Sequence, residues 1–156
     1  MQTGMRNKIF CLSRFNFRNV VGELSEQQFM ASAFICINEP YRTEDKKEYN
    51  IPILSPAENV LNLWFDDAEE LYEDVQELIL FNEEMANQIV DFVKINENAK
   101  TWFIHCTMGK CRSGAVGDVL SEYFEIPYIY FKRDNPIVQP NILVKSILRK
   151  QFFQYE

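Results

Sequence analysis

Within the run Ile104-His105-Cys106-Thr107-Met108-Gly109-Lys110-Cys111-Arg112-Ser113-Gly114, a thiol at Cys106 precedes a guanidinium at Arg112 by six positions. The apolar residues before it read as a strand, and the small residues after it suit the entry of a helix. A loop leaving a strand and entering a helix turns successive backbone N–H groups inward, and the helix N-terminus adds partial positive charge there. Such a loop cradles an anion of phosphate size, here with the backbone of Thr107, Met108, Gly109, Lys110 and Cys111. Arg112 closes the ring, because its planar fork binds two phosphate oxygens at once where a lysine cannot. Cys106 lies beneath the cradle, where N–H donors, the helix dipole and the guanidinium favour the thiolate, the nucleophilic form. The chemistry these residues imply is attack by sulfur on phosphorus.

Expelling an alkoxide or phenolate then requires a carboxylic acid on a second loop facing the first. Asp66 and Asp67 follow an apolar segment directly and are the candidates. A plainer role, capping the next element, is open to either. His105 is the only histidine. Taken alone it reads as a satisfied core histidine.

Elements able to position these groups are legible in the periodicity. Asn7 to Leu12 and Ala31 to Asn38 are short, apolar and rich in β-formers; Asn59 to Phe65 alternates; Thr101 to His105 completes a fourth strand. Glu39 to Pro52, charged and flanked by prolines, predicts a surface loop. Helices are predicted from Asn82 to Lys94, from Ser113 to Phe124 and from Ile142 to Phe153. Strands alternating with helices predict a single α/β domain over residues 1–156, with a mainly parallel sheet of about four to five strands covered on both faces.

Composition narrows the classes. With 156 residues and 47% hydrophobic content the chain can bury one substantial core. Four scattered cysteines make no disulfide framework and no paired metal-ligand spacing, so a reducing cytoplasm is expected and no metal or other cofactor is implied. No stretch approaches the length that spans a bilayer, and the start has no leader-like apolar run. The net charge of −7 is concentrated between Glu58 and Asn98, which hold twelve acidic residues against Lys94 alone. That balance speaks against general nucleic-acid binding and reads most simply as a solvated helical face. The thirteen phenylalanines and seven tyrosines are read as packing residues. A monomer without membrane attachment is expected.

The pattern HCTMGKCRS resembles the signature loop of the protein tyrosine phosphatase superfamily. Among its members the chain is most similar to short dual-specificity-like phosphatases of bacteria and their viruses. NVLNLWFDD, NEEMANQIVDFV, TWFIHC, RSGAV and NPIVQPN fall in the order of that family's related stretches. The resemblance implies metal-free phosphomonoester hydrolysis in two steps: Cys106 forms a phosphocysteine, and water then hydrolyses it. It implies phosphotyrosine, with phosphoserine and phosphothreonine, in a protein or a small phosphomonoester as substrate. By register with similar phosphatases it favours Asp67 over Asp66 as the acid. It gives Ser113 a hydrogen bond to Cys106 that helps the thiolate leave, makes His105 a residue behind the loop that orders it and tunes the cysteine, and gives Asn135 to Asn141 a structural role.

The run C-x-x-x-x-C-R-S also resembles low-molecular-weight tyrosine phosphatases, which implies Cys111 as a redox partner of Cys106. HCT-x-G is similar to RNA 5′-triphosphatases, although the acidic flank disfavours RNA. Lys110 is the only lysine in the loop, where phosphoinositide phosphatases carry two. A phosphoprotein-binding module without turnover stays open as a different class, discriminated by phosphate release. Oxyanion reduction through the same cysteine loop would need Cys111 as its shuttling thiol.

Overall fold

Four buried apolar segments pair side by side: β1 (Lys8–Ser13), β2 (Ser32–Asn38), β3 (Val60–Trp64) and β4 (Thr101–Cys106). The computed structural model describes residues 7–71 and 77–154, so the basic start and part of the acidic stretch, residues 72–76, lie outside the described residues. The order across the sheet is β1-β4-β2-β3 and every pairing is parallel. The expectation of four to five mainly parallel strands thus resolves to four, all parallel, among the described residues.

Alternation along the strands divides the core between the two sheet faces. Ala33, Ile35 and Ile37 of β2 enter the larger hydrophobic cluster, and Phe34 and Cys36 enter the smaller. Because both faces are covered, β2 is buried along its whole length and reads as a continuous apolar run.

The smaller cluster is closed by α1 (Arg14–Glu23) and α2 (Glu26–Met30), which contribute Phe17, Val20 and Phe29. The sequence reading assigned no element to this stretch. Its apolar periodicity is thin, but its caps are explicit: Ser13 Oγ accepts from the Asn16 N–H at 3.1 Å. Ser25 and Gln28 form a reciprocal capping box at the start of α2.

Residues 39–52 correct the expectation of a plain surface loop. They contain a short 3₁₀ turn (Glu44–Lys46) and α3 (Lys47–Asn50), and Glu39 is buried. The opposite face is covered by α4 (Glu83–Ile95), α5 (Arg112–Tyr123), α6 (Tyr128–Asp134) and α7 (Ile142–Phe152). Three of these match predicted helices; α6, short and entered through Pro127, was not anticipated. No helix among the described residues is long and apolar enough to cross a membrane.

Parallel pairing sends all four strand ends to one edge of the sheet. The loops leaving β2, β3 and β4 therefore meet there, the edge at which open parallel sheets bind ligands.

Candidate active site

Strand β4 runs between β1 and β2 and ends at Cys106; α5 starts six residues later at Arg112. Along β4, Trp102, Ile104 and Cys106 face the cluster that contains α5. His105 points the other way, its ring centroid 4.3 Å from that of Phe17.

The intervening loop is pinned from three sides. The Arg14 N–H donates to the Thr107 carbonyl at 3.2 Å, the Gln139 N–H to the Lys110 carbonyl at 3.0 Å, and the Asn141 N–H to the Cys111 carbonyl at 3.0 Å. Gly109 has φ +72°, and a Cβ there would sit 2.4 Å from the Ser13 backbone nitrogen. A side chain is excluded both by conformation and by space. The turn this permits lets the Gly109 N–H donate to Cys106 Sγ at 3.3 Å, while Ser113 Oγ lies 3.2 Å from the same sulfur. Met108 is exposed at the loop's crest, and Thr107, Lys110 and Cys111 are half-buried.

Arg112 is buried, and its guanidinium is oriented by two acceptors from distant chain positions. Nη1 donates to the Phe65 carbonyl at 2.8 Å and Nη2 to Glu39 Oε2 at 2.5 Å. The same carboxylate oxygen accepts from Thr107 Oγ1 at 2.5 Å, so Glu39 ties both ends of the loop together. Burial opposes the charge on Arg112, but the Glu39 carboxylate, with Cys106 and Asp67 adding to it, outweighs burial and holds the guanidinium above its ordinary value. Arg112 Nε is buried without an acceptor among the described residues. A buried cationic donor of this kind calls for an anion.

Glu39 was missed at the sequence level, where it was grouped with a charged loop. A carboxylate directly after a fully buried strand, at the ligand-binding end of a parallel sheet, was the available signal.

The two adjacent aspartates have opposite surroundings. Asp66 is buried, and both its carboxylate oxygens accept from Arg42, at 2.7 Å each. Oδ2 also accepts from the Ile79 N–H at 2.8 Å. Asp67 is exposed and turns toward the side of the Cys106–Arg112 loop, where Asn141 Nδ2 donates to its Oδ1 at 3.0 Å. Asn141 thereby holds Asp67 with its side chain and Cys111 with its backbone. A polar cleft of about 350 Å³ opens here, lined in part by Asp67, Glu69, Cys111 and Asn141.

The remaining groups are placed as follows. Burial pushes His105 down to about 3, so it is a neutral imidazole at physiological pH; Nδ1 lies 3.4 Å from the Cys106 carbonyl. The Cys111 thiol is raised by burial, with Asp67 and Cys106 adding to the effect, which lowers its thiolate fraction and its competence in thiol exchange. Cys11 on β1 donates from Sγ to the Ser113 carbonyl at 3.3 Å, and burial raises its thiol well above the ordinary value. Asn135 serves β1 as an added strand would: Oδ1 accepts from the Cys11 N–H at 2.7 Å and Nδ2 donates to the Ile9 carbonyl at 2.8 Å.

No family model matches the chain, and no curated protein matches it. Among solved structures, the crystal structure of Tk-PTP in the active form superposes with a TM-score of 0.45 at 13% identity, covering 93% of each chain. A likeness at that level assigns no chemistry to this chain.

Proposed function

We propose that the chain is a metal-independent phosphomonoesterase working through a phosphocysteine, with phosphotyrosine in a polypeptide as its preferred substrate and phosphoserine or phosphothreonine as further ones. The observation that carries this reading is the Cys106–Arg112 loop. A thiol with an N–H donor and a hydroxyl on its sulfur shares a pinned anion cradle with a buried guanidinium whose Nε has no acceptor among the described residues. The phosphoryl oxygens bind the loop N–H groups and Arg112. Cys106 attacks phosphorus in line, the P–O bond to the leaving group breaks, and Asp67 supplies the proton to the departing oxygen. Water then attacks the phosphocysteine, Asp67 takes its proton, and inorganic phosphate leaves. Ser113 Oγ donates to the sulfur as it regains charge in this second step.

Asp66 is a poor acid in this scheme because its two oxygens already accept from Arg42 and Ile79. Glu39 does not reach the leaving group in the scheme; it fixes the orientation of Arg112.

The test is phosphate release from an aryl phosphate, in reductant, for the parent and three variants. Cys106→Ser is expected to abolish turnover and keep phosphate affinity, whereas Arg112→Ala loses both. Asp67→Asn is expected to slow turnover by about 10²–10⁴-fold, the ordinary range of acid catalysis. Release by Cys106→Ser at the parent rate would remove the nucleophile from the scheme; no release by the parent would favour the phospho-binding module.

A further inference from the structure

Arg42 lies in the segment read from sequence as a surface loop, yet it grips the loop that bears both aspartates at two points. Its two Nη groups fork onto the Asp66 carboxylate at 2.7 Å each, and Nη1 also donates to the Glu77 carbonyl at 3.3 Å. Ile79, two residues past Glu77, adds two contacts. The Asp66 N–H donates to the Ile79 carbonyl at 2.7 Å, and the Ile79 N–H returns to Asp66 Oδ2 at 2.8 Å. Asp66 is thus held by its backbone and by both carboxylate oxygens.

Asp66 is buried against Arg42, while Asp67, at the bend just past β3, is exposed on the side where Asn141 meets it at 3.0 Å. The Phe65 carbonyl, one residue earlier, is the acceptor that orients Arg112 Nη1. One forked ion pair consequently sits at the residue between a contact to the phosphate clamp and the candidate acid.

We infer that Arg42 is a positioning residue for acid catalysis: its bidentate grip on Asp66 fixes the backbone that presents Asp67 to the leaving-group oxygen. The inference rests on the reading of Asp67 as the acid. Arg42 touches neither the phosphate nor the reacting atoms. Its loss acts on the leaving-group step more than on phosphate binding.

The experiment compares two aryl phosphates, one with a poor leaving group (phenyl) and one with a good leaving group (a fluorinated umbelliferone). A good leaving group departs without a proton and does not need the acid in the first step. Measured for the parent, Arg42→Met, Arg42→Lys, Asp67→Asn and the Arg42→Met/Asp67→Asn double variant are kcat, KM, the pH profile and the melting temperature.

Arg42→Met is expected to lower kcat/KM, which reports only through P–O cleavage, by about 10²-fold on phenyl phosphate, the low end of acid catalysis, and by less than about threefold on the activated ester. The limb of the pH profile that falls as the acid deprotonates flattens in parallel. Arg42→Lys, which keeps the charge but not the fork, is expected to fall between parent and Arg42→Met on phenyl phosphate. The double variant is expected to be no slower than Asp67→Asn, since residues acting as one unit are not additive.

Equal losses of kcat/KM on both esters, or additive losses in the double variant, would overturn the positioning role and leave Arg42 a stability residue. The absence of any leaving-group dependence in Asp67→Asn would instead remove Asp67 as the acid, and the role of Arg42 with it.

Discussion

The two loops that meet above the sheet are held in different ways. The Cys106–Arg112 loop is fixed chiefly through its own backbone: three carbonyls accept from Arg14, Gln139 and Asn141, and Gly109 fits against β1 where no side chain could. The loop after β3 is fixed chiefly through side chains, by the fork of Arg42 on Asp66 and the amide of Asn141 on Asp67. A cradle for a phosphate needs its N–H groups aimed, and only the backbone can aim them. An acid needs one carboxylate placed and its neighbour kept out of the way, which side-chain partners can do. The difference teaches that mutations should act on binding and chemistry together in the first loop, and on proton transfer selectively in the second.

Glu39 gives the sharpest way to break that comparison, because it belongs to neither loop and contacts the first at both ends. Glu39→Gln keeps the shape and removes the charge facing Arg112. Loss of a charge-assisted hydrogen bond, about 1.5–3 kcal/mol, corresponds to roughly 10- to 150-fold in kcat/KM. The loss should be equal for good and poor leaving groups, unlike that of Arg42→Met. Steady-state kinetics on the same two esters checks this; a leaving-group-dependent loss at Glu39 would erase the division between the loops.

A smaller effect is expected from His105, which supports the first loop from the opposite face of the sheet. Its folded value near 3 lies below the ordinary 6.5, so between those limits the unfolded chain binds more protons than the folded one. The contribution is complete above about pH 6.5 and is lost as pH falls toward about 3, by at most about 1.4 kcal/mol per pH unit. Denaturant unfolding at about pH 7 and about pH 5 should show a larger loss for the parent than for His105→Gln. Parallel losses in the two proteins would show that the imidazole is not the group responsible.

These tests also mark what the sequence could and could not disclose. Three strands were legible as short apolar runs, of which Ser32–Asn38 is buried on both faces, and the strand Val60–Trp64 was legible by its alternation. The Cys106–Arg112 loop was legible because its pattern is local, packed into the eleven residues from Ile104 to Gly114. Glu39, Arg42 and Asn141 were not, since their partners lie far along the chain: Arg112 is 73 positions from Glu39, Asp66 is 24 from Arg42, and Asp67 is 74 from Asn141. Such pairings leave no periodicity in the sequence.

The contrast between Asp66 and Asp67 shows the same limit. Adjacent and chemically identical, they are separated only by which face of the backbone meets Arg42. Residues 14–30, too weakly periodic to assign, became readable only once Phe17 was seen closing the smaller core.

The measurement that tests the central claim most directly is rapid acid quench of the parent during turnover of an aryl phosphate, followed by mass analysis of the peptide containing Cys106. The account predicts phosphate carried on Cys106 in the parent and in greater amount in Asp67→Asn, if hydrolysis of the phosphocysteine is the slower step there, and none in Cys106→Ser, which does not turn over. Sustained turnover by Cys106→Ser, or phosphate found on another residue, would contradict it.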